Sequence, residues 1–240
     1  MKHLITRRDL LRTASLAGAA AVTRDSSASP AARAEPQTPA SAVGTAARAR
    51  EAYESLTAQE ADTLEAIVAR LIPSDEHGPG ALEARAAHYI DHALGGALAD
   101  SLPAYRAGFA AFDRYCRMSR GKPFIELSAT DQDSVLIDVE SGAATGSGAG
   151  FTGSSTAFFN MVKGHTWQGT FGDPYYGGNA NFIGWDLLGY PGVRTMVTAV
   201  DQEQMEKHQL RPNHRSAYDF EGFNKATARA GAHEEHQHGD

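Results

Sequence analysis

Apolar side chains in this chain recur at every third or fourth position, in stretches bounded by proline and glycine. That spacing lays one stripe along a helix, whereas a half-buried strand needs strict alternation. Leu64, Ile67, Val68, Leu71 and Ile72 form the clearest stripe. Thr57-Ala58-Gln59-Glu60 opens it as a capping box and Pro73 closes it. After a loop from Pro73 to Gly80, the pattern predicts a second helix from Ala81 to Leu94, with Leu82, Ala86, Ile90 and Leu94 inward. A third follows Pro103 and buries Leu102, Tyr105, Phe109, Phe112 and Cys116, before Gly121-Lys122-Pro123 breaks it. Ser128 to Asp131 reads as an N-cap ahead of Val135, Leu136 and Val139. A further helix, Thr156 to about Gly169, carries Phe158, Val162 and His165 on one face. Phe171 to Asn179 is a loop, Phe182 to Leu188 is helical, and Val193, Met196, Val197 and Val200 support a last helix. No alternating run is long enough to seed a sheet. The expected fold class is all-α, a single irregular domain of roughly five to seven helices with long loops.

The ends read differently. Thr6-Arg7-Arg8-Asp9-Leu10-Leu11 places a twin arginine before a short apolar run, Ala14 to Val22, and Ala32-Arg33-Ala34 offers a small-x-small cleavage site. This is the pattern of a twin-arginine (Tat) export signal, here residues 1–34, with Arg7 and Arg8 as its address. Residues 35–56, rich in Ala, Pro, Ser and Thr, form a flexible lead-in to a helical domain over 57–208. Within that domain residues 141–155, with five Gly and four Ser, read as a mobile insertion. Residues 209–240 form a polar tail containing His233, His236 and His238.

Composition excludes several function classes. The 240 residues include one cysteine, Cys116, so an intrachain disulfide, a CxxCH haem site and a cysteine-held iron–sulfur cluster are ruled out. Removing residues 1–34 takes six basic and two acidic residues from totals of 22 and 29, leaving 16 against 27, a net charge of −11. A chain this acidic is not expected to bind nucleic acid, and it would meet a membrane only through partners. No apolar run reaches the roughly 18–20 residues that span a bilayer. There is no G-x-G-x-x-G after a strand, no P-loop and no G-x-S-x-G elbow, so no cofactor is expected in this chain.

The chemistry-bearing residues concentrate in His165-Thr166-Trp167-Gln168-Gly169-Thr170-Phe171-Gly172-Asp173-Pro174-Tyr175-Tyr176-Gly177-Gly178-Asn179. Aromatic rings and four glycines share these fifteen residues. Glycine at that density implies positive φ or close backbone approach, and exposed Tyr and Trp often anchor a protein contact. The same pattern also describes a rigid internal turn. His165, Trp167, Asp173, Tyr175, Tyr176, Gly177, Gly178, Asn179 and Trp185 are therefore the candidates for contact or scaffold. Two other readings remain open. One is an enzyme using His165 and Asp173, with Asp75, for metal-dependent or acid–base chemistry. The other is a sugar-acid binding module lined by Trp167, Tyr175 and Trp185. His88 and His92 have a metal-compatible spacing, but the face they share is expected at a surface.

Further residues fall into a known pattern. Arg70-Leu71-Ile72-Pro73, Gly78-Pro79-Gly80-Ala81, Tyr89-Ile90-Asp91 and Gly121-Lys122-Pro123-Phe124 precede His165-Thr166, Gly169 and Asp173-Pro174-x-Tyr176-Gly177-Gly178-Asn179. Gly184-Trp185 and Gly189-Tyr190-Pro191-Gly192 follow. Over about residues 57–195 this resembles the small (gamma) subunit, or subunit 3, family of gluconate 2-dehydrogenase. The resemblance implies a non-catalytic subunit that accompanies an FAD-containing large subunit of the glucose–methanol–choline (GMC) type. It also implies, in many cases, a membrane-linked multihaem cytochrome c, and a periplasmic complex that oxidises a sugar, sugar acid or polyol. The small subunit would supply the Tat signal that its FAD-dependent dehydrogenase partner lacks. The chain departs from the family at Gln168, where glutamate stands, at Asn181, where an acidic residue is common, and in the 141–155 insertion.

Overall fold

The first helix among the described residues begins where the sequence places its capping box. A computed structural model of the protein describes residues 51–146 and 148–223. Helix α1 spans Ala58–Leu71; Thr57 accepts the Glu60 N–H, while the Glu60 carboxylate accepts from the Thr57 backbone. It buries Ala61, Leu64, Ile67 and Val68. The remaining helices are α2 (Ala86–Leu94), α3 (Leu102–Arg120), α4 (Ala129–Ser141), α5 (Ser155–Phe171), α6 (Ile183–Leu188) and α7 (Ala199–Glu206). Among the described residues there are seven α-helices and no strand, which establishes the all-α class.

The core lies between α1, α2, α3, α4 and α5. Phe109, Phe112, Phe124, Phe151 and Phe158 make a chain of ring contacts with centroids 4.9–6.2 Å apart. Each buried ring contributes on the order of 2–3 kcal/mol through area removed from water. Phe158 packs closely on α3 because residue 108 is glycine: a Cβ there would stand 2.1 Å from the ring. Cys116 is fully buried in this core, and burial pushes its thiol up to about 12, which leaves it unreactive. A bidentate Arg70–Asp133 pair at 2.8 and 2.9 Å ties α1 to α4.

Four expectations require correction. The second helix starts at Ala86, not Ala81, because Arg85 adopts a left-handed φ of 61°; Leu82 ahead of it is 43% exposed. The lead-in is pinned before residue 56: the buried Asp91 carboxylate accepts the Glu54, Ser55 and Leu56 N–H groups at 2.7–3.0 Å, and Leu56 enters the core. The Gly/Ser insertion is anchored, with Ala144 and Phe151 buried and the Thr145 hydroxyl bonded to Ser155 at 2.9 Å. Residues 193–198 are not helical, and Met196, Val197 and Val200 are exposed. The twin arginine, the cleavage site and His233, His236 and His238 lie outside the described residues.

Candidate functional site

Helix α5 runs into the glycine-rich segment and determines its shape. Gly169 faces α2 so closely that a Cβ would lie 2.9 Å from the Ala86 Cα. Gly178 folds back over Gly169, where a Cβ would lie 2.1 Å from the Gly169 carbonyl oxygen. Gly184, in the first turn of α6, sits equally tightly on Thr170, at 1.8 Å from its carbonyl oxygen. These glycines are therefore positions where two backbones touch.

Asn179 is the keystone of the turn. It is fully buried with φ 44°, and its backbone N–H donates to the Gly169 carbonyl at 2.6 Å. Its side-chain Nδ2 donates to the Gly172 carbonyl and its Oδ1 accepts the Gly184 N–H, both at 2.8 Å. Asn181 and Phe182 follow with φ of 54° and 62°. Three non-glycine residues in the left-handed region within four positions store backbone strain, which the Asn179 bonds offset.

Asp173 caps the short turn Pro174–Tyr176, with Oδ1 accepting the Tyr175 N–H at 2.9 Å. Its second oxygen accepts the Ala217 N–H at 2.8 Å. Gly177 closes the turn with φ 90°. The result presents Tyr175 and Tyr176 outward, 60% and 49% exposed. Trp185 points inward, 6% exposed, with Nε1 donating to the Phe171 carbonyl at 3.0 Å. Trp167 lies on the outer face of α5, 57% exposed.

His165 meets the buried Tyr105 hydroxyl through Nδ1 at 2.9 Å. Burial lowers the His165 pKa from its ordinary value and raises that of Tyr105, so the pair suits a neutral imidazole beside a protonated phenol. His165 and Asp173 thus bind different partners, and no hydrogen bond joins them. Asp75 accepts the His77 N–H within its own turn. The geometry does not assemble these three into an acid–base group. The sugar-module reading also changes: Tyr175 lines a cleft of about 210 Å³ with Tyr176, Glu51, Glu54, His88 and His92, and neither tryptophan belongs to it. Burial, with Arg85 nearby, lowers the His88 pKa. No group of three or more His, Cys, Asp or Glu among the described residues is placed to hold a metal ion.

The sequence reading missed the C-terminal arm. Residues 213–220 return to the loop: Tyr218 stacks on Tyr175 at 3.9 Å, its hydroxyl meets that of Tyr176 at 2.6 Å, and His214 bonds Asp186 at 2.7 Å. A readable signal was present in Ser216-Ala217-Tyr218-Asp219, which forms a capping box. Tyr105 was legible only as core, since nothing in its spacing indicates a histidine sixty residues away.

A family model described as gluconate 2-dehydrogenase subunit 3 matches residues 58–192, from the start of α1 to the turn after α6. No curated protein and no solved structure matches the chain. The match covers more than half of the sequence and all of the glycine-rich segment, and the chain belongs to the gluconate 2-dehydrogenase subunit 3 family.

Proposed function

We propose that this chain is the small, non-catalytic subunit of an exported, FAD-dependent sugar or sugar-acid dehydrogenase, and that it supplies the Tat signal and steadies the flavoprotein subunit. The family match over the folded body carries this reading. The site is consistent with it: the polar groups of His165, Asp173, Asn179 and Trp185 are spent on internal bonds, while the tyrosine rings face outward. Such an arrangement builds a rigid contact surface more readily than a reacting centre. The oxidation takes place on the flavin of a GMC-type partner, and a multihaem cytochrome c takes up the electrons. The assembly is periplasmic and meets the membrane through partners; among the described residues no helix is long and apolar enough to cross one. Deleting this chain from the producing cell tests the role. The flavoprotein should then remain in the cytoplasm or be degraded. Full export of active flavoprotein without this chain would overturn the proposal.

A further inference from the structure

The C-terminal arm lies beyond the segment matched by the family, yet it is built into the candidate site. Three bonds seat it on the body. Asn213 Nδ2 donates to the Val193 carbonyl at 2.6 Å, His214 meets Asp186 while stacking on Phe182 at 5.0 Å, and the Ala217 N–H satisfies Asp173. The arm brings Tyr218 flat against Tyr175 and edge-on to Tyr176, with centroids 3.9 and 5.9 Å apart. Tyr175 and Tyr176 nevertheless keep 60% and 49% of their surface exposed. The arm therefore immobilises these rings without covering them.

Beside the rings opens the cleft of about 210 Å³. Its charged lining is Glu51, Glu54 and Asp91 against Arg85, which is already paired with Glu51. The excess is negative. Aromatic faces next to carboxylates favour a guanidinium, which stacks on rings and bonds carboxylate oxygens.

We infer that Tyr175, Tyr176 and Tyr218 form one composite surface, held in place by the 213–220 strap, that receives an arginine-bearing loop of the protein partner, with the guanidinium entering the cleft toward Glu54. The inference rests on the docking role proposed above and specifies its contact. Holding the rings before the partner arrives removes their ordering cost from the binding step. Binding should accordingly weaken as salt rises.

The test uses the full chain and its Tyr218→Ala, Tyr218→Phe and Glu54→Gln variants, with two probes: the flavoprotein subunit and hexa-arginine. Tyrosine ring resonances report the stack in the free chain. Tyr218→Ala should free the Tyr175 ring and weaken flavoprotein binding about tenfold or more, the loss typical of truncating a central aromatic anchor. Tyr218→Phe, which keeps the stack, should bind within about threefold of the parent, as expected where ring packing outweighs one exposed hydroxyl. Glu54→Gln should weaken binding and flatten its salt dependence. Hexa-arginine should shift all three tyrosine resonances in the parent chain, and not in Tyr218→Ala. If the parent and Tyr218→Ala bind the flavoprotein equally, the composite surface is overturned while the docking role stands. If hexa-arginine shifts the rings but no flavoprotein binds, the surface stands and the docking role falls. If neither probe binds, both fall.

Discussion

At the residue scale, Asn179 shows how a short motif becomes a fixed shape. Its side chain bonds Gly172 and Gly184, and the position is wholly shielded from water. Asn179→Ala leaves a half-buried carbonyl and a buried N–H unpaired and puts alanine at φ 44°. The expected loss is about 3 kcal/mol or more of unfolding free energy, measured by urea denaturation. Trp167→Ala, on an exposed face, should change stability by less than about 1 kcal/mol. The histidines give a pH signature of definite sign. Burial lowers the pKa of both His165 and His88 from the ordinary 6.5. Below that value the unfolded chain takes up protons that the folded chain refuses, so these sites' stabilisation is present above pH 6.5 and is lost as pH falls toward their folded values. Thermal melting between pH 7.5 and 5 should show this decline, and His165→Gln should flatten it. The glycine-rich motif was legible as a site of close approach because glycine density has few other uses. Which backbones meet there was not legible, since Gly169 and Ala86 touch across 83 positions of sequence.

At the element scale, two helix starts could be read from side chains that cap them: Thr57 and Ser128 each accept an N–H of the first turn. The second helix was misplaced because Arg85 takes a left-handed conformation that no local signal announces. Periodicity also overreached after Gly192, where Met196, Val197 and Val200 have helical spacing and no core to face. The best buried polar link between elements is Asp91 on α2, whose carboxylate holds three consecutive N–H groups of the entry segment. Asp91→Ala should cost about 3 kcal/mol or more, because three charge-assisted bonds are lost and the buried Leu56 N–H is orphaned. It should also expose residues 51–56 to limited proteolysis, mapped by mass spectrometry. Asp91→Asn, which keeps one acceptor oxygen, should cost less.

At the scale of the whole molecule, the acidic helical body, the twin arginine and the family match support a single account. On the function proposed above, this chain would provide an export address and a docking surface, and another chain would perform the oxidation. Replacing Arg7 and Arg8 together by lysine should leave this chain and the flavoprotein in the cytoplasm together, scored by fractionation and flavin fluorescence. Independent export of either one would separate the two roles. The most direct test is affinity purification of the chain from the periplasm of its own cell, followed by flavin absorbance, subunit identification and an assay for sugar-acid oxidation. The expected result is a stoichiometric flavoprotein that carries all of the oxidising activity, with none in the chain once the two are separated. Recovery of the chain alone, or oxidation by the separated chain, would contradict the account.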